Sequence, residues 1–172
     1  KVTESGGRFW ALGYDSKAVP VPGELMLRQL PMAGLTQRFY AGAKFQGPYS
    51  AKIDAVPLGR WIDWPISGPF SCVWTGKIRI EQAGDYSFHF NGPNFSDIEV
   101  GGRLAERHGK LDAPLDTRLP QKVLSLRPGV YPIKVRFAAT SQPYIELLWT
   151  APDSAGKQVM IPPRLLEPEL HF

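Results

Sequence analysis

The chain has 172 residues, 43% of them apolar and 12% aromatic, which suffices for the buried core of one domain and excludes a disordered polymer. Its 20 Lys and Arg exceed 16 Asp and Glu by four charges and are spread along the chain, which excludes a nucleic-acid binder built on a basic stripe. The lone Cys72 excludes an internal disulfide and a Cys-based metal cluster, and no apolar run reaches transmembrane length.

Seventeen Gly and seventeen Pro punctuate short apolar runs, the pattern of an all-β protein with many turns. Residues 1–33 read as an extension or connector. Within them Arg8–Leu12 is an apolar patch and Val19-Pro-Val-Pro-Gly23 must be extended. Glu24–Leu30 fits either one or two helical turns or an edge strand. The chain begins at Lys1 without Met, which points to a processed protein or, in preference, a piece of a larger one.

From residue 34 to 172 the order is strand, turn, strand. Leu35–Ala41 is predicted as a strand, and 50–56 as another running into the loop Trp61-Ile-Asp-Trp64. Val73, Ile78 and Ile80 alternate in one run, Tyr86, Phe88 and Phe90 in the next, and Glu81–Asp85 joins them as the turn of a β-hairpin. Phe95–Val100 alternates again, with Gly101-Gly102 as a tight turn into Arg103–Glu106. Residues 107–116 read as a solvent loop. Strands are expected at Val123–Leu126, Val130–Phe137, Tyr144–Trp149 and Met160–Leu166. Cys72, between apolar neighbours, reads as a buried, inert thiol.

Several of these pieces stand in the order of one known family. Gly34-Leu-Thr-Gln-Arg-Phe-Tyr40 with Phe45-Gln-Gly47, Ile62-Asp-Trp64, Cys72-Val-Trp-Thr-Gly76, Ala83-Gly-Asp-Tyr-Ser-Phe88, Leu126–Val135, and Leu147-Leu-Trp149 with Ile161-Pro-Pro-Arg-Leu165 resemble the motifs of the anthrax protective-antigen (PA14) domains. The resemblance spans about residues 34–168 and implies an antiparallel β-sandwich. It places Trp74, Tyr86, Phe88, Tyr131, Ile133, Val135 and Trp149 on inward faces, and specifies a fold more sharply than a function.

In sugar-binding members of that family, two adjacent Asp residues hold a Ca²⁺ that coordinates sugar hydroxyls. The matching stretch here is Asn91-Gly-Pro-Asn-Phe-Ser-Asp97, and the acidic pair falls on Pro93 and Asn94. One carboxylate is absent and the other is an amide, so no cofactor is expected. Asn91, Asn94 and Asp97 offer groups that hydrogen-bond sugar hydroxyls, and Phe95 or Tyr144 offers a ring to stack on a sugar. The plain alternative is that Asn91 and Asn94 satisfy turn geometry. Trp61 and Trp64 read as structural in preference to a sugar platform.

Catalysis has no constellation behind it. His89 lies between Phe88 and Phe90 and faces away from both, His108 falls in a loop, and His171 is terminal. No nucleophile, base and orienting group come together, and the carboxylates at Asp85, Asp97, Glu99, Glu106 and Glu146 form no recognisable pair. The resemblance implies a non-catalytic carbohydrate-binding or glycan-positioning module of a larger extracytoplasmic protein such as a glycosidase, adhesin or glycosyltransferase. Its partner would be a glycan or polysaccharide, with other domains of the same parent alongside. The alternative is a structural or protein-interaction module that docks onto a partner domain without sugar.

Overall fold

Strand polarity in this chain follows period-two alternation, and the fold follows from which alternating faces meet. The computed structural model describes residues 2–5, 8–12, 18–20, 33–54, 58–60, 68–91, 95–109, 122–139 and 144–169. They fall into two compact units, Lys1–Met32 and Ala33–Phe172. In the first, β1 (Val2–Ser5), β2 (Arg8–Leu12) and β3 (Ala18–Pro20) form an antiparallel sheet of their own. The apolar patch and the proline-rich stretch are thus paired strands, a pairing the sequence reading missed. Residues 24–30 lie outside the described residues.

The second unit is an antiparallel β-sandwich. Its strands are β4 (Leu35–Ala41), β5 (Tyr49–Asp54), β6 (Leu58–Arg60), β7 (Phe70–Ile80), β8 (Gly84–Asn91), β9 (Phe95–Val100), β10 (Arg103–His108), β11 (Leu124–Leu126), β12 (Gly129–Ala139), β13 (Tyr144–Thr150), β14 (Val159–Met160) and β15 (Leu166–Pro168). One sheet runs β10-β9-β12-β7-β4-β5, with β15 also on β7; the other runs β11-β8-β13-β14, with β6 on β13.

The expected hairpin between the two central runs does not form. β7 pairs with β12, β4 and β15, whereas β8 pairs with β11 and β13, so the chain crosses from one sheet to the other at residues 81–83. Both strands turn their apolar faces into the interior, and Trp74 meets Phe90 across the gap at 6.4 Å between ring centroids. Alternation reads the same whether neighbours pair edge to edge or pack face to face, so it cannot distinguish the two. The crossing is braced by Tyr86, whose hydroxyl donates to the Gln82 carbonyl at 2.7 Å. Val73 also departs from the expected run. It shares parity with Ser71 and Thr75, not with Ile78 and Ile80, and lies on the outer side of its sheet.

The β9–β10 hairpin forms as read. Gly101 and Gly102 have φ of 59° and 72°, the left-handed pair that a two-residue hairpin turn requires. Arg107 and His108, expected in a loop, continue β10 opposite Asp97 and Ser96.

The core is aromatic. Phe70 and Phe90 lie against Phe137 at 6.1 and 5.4 Å, and Tyr86 and Phe88 against Trp149 at 5.3 and 6.4 Å. Such contacts add about 0.5–1.5 kcal/mol each beyond the area they bury. Of the residues placed inward by sequence, all are buried except Tyr131, which is half-buried at the core margin.

Candidate functional site

Strand register gathers many loop-bearing ends at one end of the sandwich. Ala41 lies opposite Phe70, Phe70 opposite Ala139, and Phe95 opposite Ala138; His108 pairs with Ser96, and Asn91 with Glu146, two residues from Tyr144. The strand ends that flank 42–48, 92–94 and 140–143 therefore share this end. Three of the sequence-derived site residues, Asn91, Phe95 and Tyr144, sit on these strand ends. Asn94 lies outside the described residues, as do Trp61 and Trp64.

Asp97, offered by the sequence as a hydrogen-bonding group for sugar hydroxyls, has no exposed side-chain surface. Its side chain is fully buried on the outer side of β9, because β12 and β10 flank it with arginines. Arg136 Nε donates to Oδ1 at 2.9 Å and its terminal nitrogen to Oδ2, while Arg107 reaches Oδ2 at 3.3 Å. The bond from Asp97 is the main reason the Arg136 guanidinium is held above its ordinary range. A Ca²⁺ ligand must turn free carboxylate oxygens toward the ion. Both oxygens here are bound by guanidiniums and two positive charges adjoin them, so Asp97 does not fit that role.

Phe95 is half-buried beside this ion pair. The Arg136 guanidinium lies 6.0 Å from the ring centroids of both Phe95 and Phe45, which meet edge to face at 6.1 Å. Phe45 is brought there by the 42–48 loop. Its backbone N–H donates to Ser71 Oγ at 3.0 Å, and that hydroxyl donates to the Gly42 carbonyl at 2.8 Å. Phe45 has φ of 55°, a left-handed conformation that costs a non-glycine residue about 1–2 kcal/mol.

Polar groups that the sequence reading did not single out lie on the inner side of β9 and β10 at the same end. Glu106 is buried and its Oε2 accepts the Phe90 N–H at 2.6 Å, tying β10 to the opposite sheet. β11 pairs with β8 only over residues 84–86, so Glu106 takes an N–H beyond the end of that pairing. Ser96 Oγ and His108 Nδ1, on paired residues, are buried without a hydrogen-bond partner among the described residues. The irregular register between Leu104 and Glu106 shifts β10 by one residue, so simple alternation assigns Glu106 to the wrong face.

The remaining candidates resolve simply. His89 faces outward, with Nε2 3.1 Å from Thr150 Oγ1 and Nδ1 3.0 Å from Gln158 Nε2. Cys72 is buried, burial pushes its thiol far above the ordinary range, and it accepts a long contact from Gln37 Nε2 at 3.9 Å. Such a thiol is a packing group, not a nucleophile.

Comparisons with known proteins bear on the fold. No protein-family model and no curated protein matches the chain. Among solved structures, an anti-sigma factor domain-containing protein from Clostridium clariflavum is similar with a TM-score of 0.69 at 19% identity, over 81% of this chain and 48% of that one. The epithelial adhesin 6 A domain from Candida glabrata, solved with Galβ1-3GlcNAc, has a TM-score of 0.59 at 11% identity, over 82% and 89% of the two chains. A PA14 sugar-binding domain from an RTX adhesin has a TM-score of 0.53 at 11% identity, over 80% and 99%. The chain spans about half the length of the anti-sigma factor domain-containing structures, 48% and 59% of two of them. The fold is thus an all-β sandwich of the kind seen in PA14 domains.

Proposed function

We propose that this chain is a non-catalytic carbohydrate-binding module that positions a larger extracytoplasmic protein on glycans. The observation that carries the reading is the convergence of strand ends at Asn91, Phe95 and Tyr144 in a sandwich whose structural relatives include an adhesin domain in complex with a disaccharide and a sugar-binding PA14 domain. Asn91, Asn94, Phe95 and Tyr144 form the binding end, and Asp97 acts beneath it by holding Arg136. Binding is metal-independent, since the acidic pair is replaced by Pro93-Asn94 and Asp97 is neutralised by arginine. No helix among the described residues is long and apolar enough to cross a membrane.

Ser96 Oγ and His108 Nδ1, buried and without a hydrogen-bond partner among the described residues, support a polar ligand at this end, because buried polar atoms call for a partner. A glycan array probed with the wild-type chain and with Asn94→Ala, each with and without EDTA, tests the proposal. The expected result is a weak signal that survives EDTA and is lost in Asn94→Ala. A blank array for the wild type favours a protein-interaction module, and a signal abolished by EDTA overturns metal independence.

A further inference from the structure

The outer side of the larger sheet carries a second arrangement, which adjoins the loop-end site at Phe45 and Phe95. The order β5-β4-β7-β12-β9-β10 lays Ala51, Arg38, Val73, Arg136, Asp97 and Arg107 in one cross-strand row. The adjacent row reads Tyr49, Tyr40, Ser71, Ala138, Phe95. Three guanidiniums thus share a row with one carboxylate, and that carboxylate is fully buried.

Two of these arginines are laid against aromatic rings. Arg136 lies between Phe45 and Phe95, and Arg38 lies 5.8 Å from the Tyr49 ring centroid, with Tyr40 and Tyr49 in contact at 5.4 Å. Arg38 has no carboxylate partner among the described residues. Tyr49 is 54% exposed, although a stable fold gains by covering a ring of that size. β7 separates Arg38 from Arg136, so their backbones lie about 9–10 Å apart across two strand spacings. Between them is the short side chain of Val73, 8% exposed.

We infer that this face binds a carboxylate-bearing polysaccharide strand, a polyuronate, with Arg38 and Arg136 taking its carboxylates while Tyr49 and Phe45 take its flat ring faces. A hexuronate carries an apolar C–H face and a planar anion on the same ring, which is the pairing that each arginine–aromatic unit here presents. The guanidinium fork matches a carboxylate in plane. An acidic peptide supplies carboxylates on flexible stems without a flat apolar face, and an extended peptide adds to a sheet edge, not to its face. A nucleic acid requires many phosphate contacts, and this chain exceeds neutrality by only four charges without a basic stripe. This face adjoins the loop-end site at Phe45 and Phe95, and the substitutions that test it, at Arg38 and Tyr49, fall on residues outside the loop-end set Asn91, Asn94, Phe95 and Tyr144.

The test is isothermal titration of the full chain with alginate oligosaccharide, and with the same oligosaccharide after its carboxylates are reduced to alcohols. Polyglutamate and oligouridylate serve as acidic-peptide and nucleic-acid probes. The expected result is binding of alginate, loss of binding on carboxyl reduction, and at least about a tenfold weakening in Arg38→Gln or Tyr49→Ala. Tyr49 is exposed and Arg38 half-buried, neither touches the Asp97–Arg136 pair, and unchanged thermal unfolding verifies that each variant folds. Absence of alginate binding, equal affinity in Arg38→Gln, or equal or tighter binding of polyglutamate or oligouridylate overturns the inference. If neutral array glycans still bind in that event, the loop-end proposal is untouched; if alginate binds and the array is blank, the reverse holds.

Discussion

Asp97 shows how one residue can connect local chemistry to a surface. Its carboxylate is buried, while the Arg107 and Arg136 side chains keep 37% and 30% of their surface in water. Asp97→Asn removes the shared anion, leaving Arg136 only the more distant Glu99 carboxylate at 3.9 Å. The expected cost is about 3 kcal/mol, at the low end for a broken buried pair because the arginines remain partly solvated. Urea denaturation measures it, and a loss under about 1 kcal/mol would place the group with ordinary surface pairs. Tyr86 governs a different condition. Burial, and then the nearby Asp153, raise its hydroxyl above the ordinary value of 10.0. The neutral phenol is therefore favoured more in the folded than in the unfolded chain. Its contribution is present below pH 10 and is lost as pH climbs through the raised folded value. Stability measured on either side of pH 10 should fall with a shallower slope in Tyr86→Phe than in the wild type; parallel slopes would contradict the assignment.

At the scale of elements, β7 organises the larger sheet. It pairs with β12 along its length, with β4 over residues 70–75 and with β15 over 76–78, so its neighbour changes at Gly76. A Cβ at Gly76 would lie 2.3 Å from the Glu167 carbonyl oxygen and 2.8 Å from a Leu35 methyl. Gly76→Ala should therefore push β15 off β7 and cost about 1–3 kcal/mol as an overpacked site. Hydrogen exchange would show the loss as faster exchange of the Leu166–Pro168 segment, and exchange unchanged there would contradict it. This strand also marks what the sequence could tell. Alternation in 70–80 and 84–91 located both strands and most of their inward faces, because burial depends on side-chain parity. It did not reveal that β7 and β8 belong to opposite sheets, because pairing partners come from residues 35–41, 124–139 and 144–150, far along the chain.

For the whole molecule, the fold was legible and the binding end only in part. Turn glycines and spaced aromatics mark a sandwich, since they answer to backbone geometry and burial. Asn91, Phe95 and Tyr144 could be placed at one end only through register, which joins residues more than fifty positions apart. The setting of Asp97 was not legible, because nothing in its own neighbourhood announces Arg136, 39 residues away. The inward setting of Glu106 and His108 was not legible, as a bulge in β10 had shifted their parity.

The most direct test of the central claim is a two-dimensional amide NMR titration with the strongest glycan from the array, in EDTA. The account predicts shift changes that cluster at Asn91, Asn94, Phe95 and Tyr144 and persist in the chelator. Changes confined to other parts of the sandwich, or changes that appear only when Ca²⁺ is restored, would contradict it.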